Sequence, residues 1–157
     1  MREINLTYPE ALRQLWKPRK LYEAWYWEYE GLFYEEDVRH AKSFVPGGYL
    51  FGEWFTAIHF YKQGYRVLNE MYFQRPQRQK RAALARVLDR EKFALITGNT
   101  LYPPDLFVYD PKNNLYFFAE VKLPGDRLSE NQKKSFREIE KRMACQVLIV
   151  NLKARQE

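Results

Sequence analysis

Cysteine is almost missing from this chain. A single thiol, Cys145, occurs among 157 residues, so no intrachain disulfide can form. Histidine is nearly as scarce: His40 and His59 stand at no spacing from Cys145 that a zinc site would use. Any metal bound here must therefore be held by oxygen. No stretch approaches the roughly 18 apolar residues of a membrane span, and the opening Met-Arg-Glu-Ile-Asn-Leu lacks the charged-then-apolar plan of a signal peptide. Together these absences give the expectation of an intracellular, reducing compartment and no membrane partner. No short repeat stands out.

What the chain does have is apolar and aromatic. A hydrophobic content of 46% is enough for one domain with its own core. Aromatics make up 17% and crowd the first third, where Trp16, Tyr22, Trp25, Tyr26, Trp27, Tyr29, Phe33 and Tyr34 follow closely. Burial against the rest of the fold or against a second subunit is expected for much of that span. The formal charge of +6 favours a polyanionic partner, although a soluble basic surface is the plainer reading of so modest a balance.

Along the chain, residues 1–45 read as helical and irregular, with Pro9 and Pro18 as punctuation, and Pro46-Gly47-Gly48 closes the region. A helix is predicted over Phe51 to Gln63, with Gly64 as its stop. Tyr65 to Phe73 reads as a strand, and a basic helix follows, headed by Arg75, Arg78, Lys80 and Arg81 and continuing through Leu84, Arg86, Val87, Leu88 and Glu91. After Thr97-Gly98-Asn99 come two strands joined by a turn at 110–114. Ser129-Glu130-Asn131-Gln132 then opens a helix with a capping box, and Cys145 to Asn151 reads as an interior strand holding a buried thiol. This is a mixed α/β plan.

Chemistry is concentrated in YPPDLFVYDPKNNLYFFAEVK, Tyr102 to Lys122. Charges within so apolar a pair of strands are costly unless paired or bound. Glu120 and Lys122 share one face of their strand, because side chains alternate, and a hairpin would bring Asp105 beside Glu120. Two carboxylates and an ammonium then meet in one patch. Carboxylates held together repel, and Mg²⁺ or Mn²⁺ is the natural ion to sit between them. The plainer alternative is a turn-capping Asp105 with an ion pair between Glu120 and Lys122 on an edge strand.

Pro104-Asp105-Leu106, then Glu120-Val121-Lys122, then Pro124-Gly125-Asp126-Arg127-Leu128-Ser129 and Gln132 resemble the VRR-NUC branch of the PD-(D/E)XK nucleases. That branch occurs at the C-terminus of the Fanconi-associated nuclease and as stand-alone phage and bacterial domains. The likeness is specific over 103–132, looser over 51–151, and silent on the first 45 residues. It implies a restriction-endonuclease-like α/β fold, a mixed central sheet flanked by helices. Residues 49–157 would be the nuclease core, and residues 1–48 an aromatic-rich helical extension packed on it or used in dimerisation.

The resemblance further implies that Asp105, Glu120 and the backbone carbonyl of Val121 ligate the metal and that Lys122 and Gln132 take part in catalysis. Glu53 would add a carboxylate from the first core helix, though a first-turn acid complementing the helix dipole is as simple. Glu70 is a rival that the sequence assigns to a paired position on the sheet surface. Asp126 and Arg127 pair with each other or fix their loop, or Arg127 meets a phosphate. Tyr102 and Leu123 stand where the family usually has glycine, which bears on the approach of DNA more than on chemistry.

The expected activity is Mg²⁺- or Mn²⁺-dependent hydrolysis of DNA phosphodiesters, structure-specific and suited to replication, repair or recombination. Branched DNA such as a four-way junction is the expected substrate and a second copy of the chain the expected partner, with no small-molecule cofactor. Arg75, Arg78, Lys80, Arg81, Arg86 and Arg127 are the expected DNA contacts, with a solvated helix face as the plainer reading of that run. Two other classes fit less well: a non-catalytic DNA-binding module on the same fold, and an interaction protein whose aromatic arm is the working surface.

Overall fold

The computed structural model describes residues 1–156; Glu157, the last residue of the expected core, lies outside them. Its centre is one five-stranded mixed sheet. In chain order the elements are β1 (Arg2–Pro9), α1 (Glu10–Trp16), α2 (Leu21–Glu28), α3 (Glu35–Phe44), a 3₁₀ turn at Val45–Gly47, α4 (Phe51–Lys62) and β2 (Arg66–Leu68). These are followed by α5 (Arg78–Val87), α6 (Arg90–Thr97), β3 (Leu106–Asp110), β4 (Leu115–Lys122), α7 (Glu130–Met143) and β5 (Val147–Arg155). The strands lie in the order β1-β5-β4-β3-β2, with β5 parallel to both β1 and β4, and β3 antiparallel to β4 and β2.

The sheet separates two apolar layers. Val67, Leu106, Val108, Ala119, Val121, Val150 and Leu152 face α4 and the N-terminal aromatics. Leu68, Phe107, Phe118, Val147 and Ile149 face Leu84, Ile96, Phe136 and Ile139 on the other side. Alternation along β3 and β4 therefore sends Glu120, Lys122 and Asp105 to the side on which α7 packs.

Three predicted elements differ in the structure. Residues 2–9 are not helical or irregular but a strand, paired with β5 from Arg2↔Leu148 to Pro9↔Arg155. Ile4 and Leu6 alternate with exposed Glu3, Asn5 and Thr7, a period of two that suits an edge strand. The aromatics that follow do cover the sheet: Trp16 lies 5.8 Å from both Phe51 and Trp54 between ring centroids, and Phe33 stacks on Trp54 at 3.8 Å.

The strand predicted over Tyr65 to Phe73 ends at Leu68. Beyond it the carbonyls of Asn69 and Glu70 accept from Lys80 Nζ at 3.0 and 2.7 Å, and Met71 adopts a φ of 63°, so that backbone is no longer available to a neighbouring strand. The single basic helix is two. Leu88 is extended, and the Asp89 side chain caps α6 by accepting from the Lys92 N–H at 2.8 Å. Cys145 lies before β5 and is partly rather than fully buried, with burial pushing its thiol up to about 12.

Candidate active site

The hairpin brings Asp105 and Glu120 together through the backbone. The Asp105 N–H donates to Glu120 Oε1 at 3.1 Å, and the Val121 N–H donates to Asp105 Oδ2 at 2.9 Å. This continues the β3–β4 register, whose last pair is Leu106↔Ala119. On an extended strand the N–H and C=O of one residue leave the same flank, so the Val121 carbonyl also turns toward Asp105. Lys122 Nζ lies 3.2 Å from Glu120 Oε2, and Gln132 Nε2 donates to the same oxygen at 3.1 Å.

Gln132 does two things at once. Its Oε1 accepts from the Ser129 N–H at 3.0 Å and its N–H donates to Ser129 Oγ at 3.0 Å, closing the capping box of α7. Its amide nitrogen remains free for Glu120. The cap fixes the first turn of α7 and hence the distance from that helix to the carboxylate.

Glu53 enters from the opposite side of the sheet, in the first turn of α4. Gly52 permits this: a Cβ there would lie 3.1 Å from Val121 Cγ1 and 3.2 Å from Leu152 Cδ1, so the helix sits directly on the end of β4. Burial pushes the Glu53 carboxyl up to about 8, with repulsion from Glu70, Glu120 and Asp126 adding to it. Burial likewise raises Asp105 well above the usual range, and repulsion from Glu120, Glu53 and Glu70 raises it further. Glu120 is raised by burial too, against the opposing charge of Lys122. The patch is therefore short of positive charge.

Glu70 is not on the sheet surface. It lies past the end of β2, paired with His40 Nε2 at 3.3 Å, and lines the same cleft as Glu53 and Asp126. Asp126 fixes its own loop by accepting from the Leu123 N–H at 3.1 Å, while Arg127 is exposed and forms no ion pair among the described residues.

Lys80 corrects the expected DNA contacts most sharply. It is 1% exposed, and its ammonium lies 2.7 Å from Asp37 Oδ1 while donating to the two carbonyls at 69 and 70, so it has no surface to offer a phosphate. Glu36 accepts from the N–H groups of Gln79 and Lys80 at 2.8 and 3.1 Å, satisfying the open end of α5. Arg81 is half-buried over the Phe93 ring at 5.3 Å. Arg86 is exposed beside Tyr109 and Asp110, at the turn end of the hairpin and away from Asp105. Arg75 and Arg78 are exposed ahead of and at the start of α5.

Sequence reasoning missed Tyr72. Its hydroxyl donates to the Pro104 carbonyl at 2.8 Å from a fully buried ring and so holds the residue before Asp105. A tyrosine inside an apolar run gives no sign of this role.

The VRR-NUC domain profile matches residues 55–152, most of the chain. The chain belongs to the VRR-NUC family. The family is one of nuclease domains, and a mixed sheet flanked by helices is its restriction-endonuclease-like fold. Glu53 lies just ahead of the matched segment, whereas Asp105, Glu120, Lys122 and Gln132 lie within it. A solved structure described as paFAN1 bound to DNA with a two-nucleotide 5′ flap and a gap aligns at 27% identity over 52% of this chain and 14% of that chain, with a TM-score of 0.33. No curated protein matches significantly. No described helix is long and apolar enough to cross a membrane.

Proposed function

We propose that this VRR-NUC chain is a Mg²⁺- or Mn²⁺-dependent deoxyribonuclease whose reacting groups meet at Asp105, Glu120 and Lys122. The observation that carries the reading is the convergence of Glu120 with the Asp105 backbone, Lys122 and Gln132 within 3.2 Å or less.

The donor set fits a hard divalent ion. Among the described residues no group of three or more His, Cys, Asp or Glu is arranged as a metal site; two carboxylates and a backbone carbonyl, completed by water and a substrate phosphate, are the usual complement for Mg²⁺. Asp105, Glu120 and the Val121 carbonyl would hold the ion, with Glu53 nearby. When bound, such an ion polarises a phosphoryl oxygen and lowers the pKa of a water.

Lys122 orients the attacking water and offsets charge developing on the phosphate. Gln132 keeps Glu120 in the rotamer that faces Asp105. The Val121 N–H holds the Asp105 carboxylate, and Tyr72 holds the Pro104 carbonyl just ahead of it. Arg75, Arg78 and Arg127, all exposed, are the proposed backbone contacts, supported by a chain charge of +6.

The finer proposal is a structure-specific endonuclease acting on branched DNA, with residues 49–157 as the nuclease core, to whose sheet β1 adds an edge strand, and two copies addressing related strands. A panel of labelled DNA structures incubated with the protein in Mn²⁺, in Mg²⁺ and in excess chelator tests the chemistry and ranks the substrates. Cleavage confined to the metal-containing arms, strongest on branched forms, is expected; undiminished cleavage in chelator would remove the mechanism. Sedimentation with and without a junction reads the pairing.

A further inference from the structure

Beside the carboxylate patch lies an open cleft of about 620 Å³. Glu53, Glu70 and Asp126 are among the residues that line it. Arg13 on α1, Phe44 on α3 and Tyr49 in the loop before α4, all ahead of the matched VRR-NUC segment as Glu53 is, line it as well.

Arg13 is mounted for binding. Its Nη1 donates to the Tyr8 hydroxyl at 2.8 Å, and its guanidinium carbon lies 5.6 Å from the Tyr8 ring centroid; Tyr8 itself is 1% exposed. Arg13 forms no ion pair among the described residues. A guanidinium carries five donors in a fixed fork, so most of its capacity remains for a phosphate oxygen.

Two exposed aromatic rings line the same cleft as the carboxylates. Tyr49 is 64% and Phe44 44% exposed. Neither is loose: the Trp16 indole donates to the Tyr49 carbonyl at 2.8 Å, and the Tyr49 ring lies so close over Gly47 that a Cβ there would come within 2.8 Å of it. Phe44 packs on His40 with ring centroids 4.5 Å apart. Exposed aromatics held in place beside a phosphate-binding cation are the means by which proteins take up an unpaired base.

We propose that this cleft receives one unpaired nucleotide of a DNA strand, its base against Phe44 and Tyr49 and a phosphate oxygen on Arg13, so that the N-terminal segment selects DNA with a single-stranded nucleotide next to the scissile bond. The proposal rests on the nuclease reading above. The charges lining the cleft support this orientation, since a backbone phosphate is repelled from Glu70 and Asp126 and drawn to Arg13.

The test is fluorescence anisotropy in Ca²⁺ with two labelled duplexes, identical except that one ends in a short unpaired thymidine tail. Wild type is expected to prefer the tailed duplex. Tyr49→Ala and Phe44→Ala should each lose roughly tenfold of that preference, Tyr49→Phe should keep it, and Arg13→Gln should weaken the tailed duplex more than the blunt one. Ultraviolet crosslinking of a tail carrying 5-iodouracil should mark the peptides that contain Phe44 or Tyr49. Unchanged melting temperatures in the exposed-residue variants separate binding from folding. If wild type cleaves DNA in Mn²⁺ yet binds both duplexes equally, or crosslinks only elsewhere, the cleft assignment falls and the nuclease reading stands. If wild type neither binds nor cleaves any DNA, both fall.

Discussion

Asp105 and Glu120 are joined through each other's backbone: the Asp105 N–H donates to the Glu120 carboxylate, and the Asp105 carboxylate accepts from the N–H that follows Glu120. Neither side chain can turn away without leaving a partly buried donor unsatisfied. The pair is thus held at a separation where two negative charges repel, with Lys122 the adjoining cation.

Neutralising one member should therefore separate stability from activity. Asp105→Asn keeps an acceptor for the Val121 N–H but removes a charge that burial and its neighbours disfavour. In chelator at neutral pH its melting temperature should rise by roughly 2–4 °C for each ~1 kcal/mol of relieved repulsion, while metal-dependent cleavage falls at least about 100-fold. Calorimetry and a cleavage assay on one preparation read both.

Stability in chelator should fall as pH rises. An unfolded Glu53 titrates near about 4.3, whereas in the fold its carboxyl titrates at about 8. Between those values the folded state carries the extra proton, so the stability this group contributes is complete below the lower value and lost through the upper. Asp105 and Glu120, also raised, act in the same direction. Melting curves from pH 5 to pH 9 should slope downward, and Glu53→Gln should flatten the part above pH 5. Mg²⁺ or Mn²⁺ should raise the melting temperature more at pH 8 than at pH 5.5, because ligation requires the ionised carboxylates.

Two basic residues near one another in sequence should behave oppositely. Lys80→Ala leaves Asp37 buried beside no cation and frees the carbonyls at 69 and 70, a loss of about 3–5 kcal/mol visible in denaturant melts. Arg78→Ala changes an exposed side chain. It should leave the melt unaltered and reduce the salt dependence of DNA binding by about one phosphate contact.

Tyr72→Phe removes the hydroxyl that holds the Pro104 carbonyl. A cost of about 1–3 kcal/mol is expected for a buried acceptor left unpaired, and the cleavage rate should fall with it because Asp105 is the next residue. A variant as stable and as active as wild type would remove Tyr72 from the support of the site.

The sequence made the centre of this molecule legible because its signals there are local. Asp105, Glu120 and Lys122 sit on a hairpin whose turn is written in Asp110-Pro111-Lys112-Asn113-Asn114, and Gln132 announces itself through the capping box. What escaped notice depends on contacts distant in the chain. β1 forms only because β5 lies beside it at the other end of the sequence. Lys80 reads as one more member of a basic run until Asp37, from α3, is packed against it. Glu70 reads as a strand residue because nothing local says that Lys80 will claim the carbonyls on which β2 would have continued.

The most direct test of the central claim compares wild type with Glu120→Gln on one labelled branched DNA, measuring the single-turnover cleavage rate in Mn²⁺ and the affinity in Ca²⁺. Glutamine keeps acceptor oxygen for Asp105 but not the charge that would hold the ion. The account predicts binding within a few-fold of wild type and a cleavage rate at least about 100-fold lower. Cleavage by Glu120→Gln at the wild-type rate would contradict it.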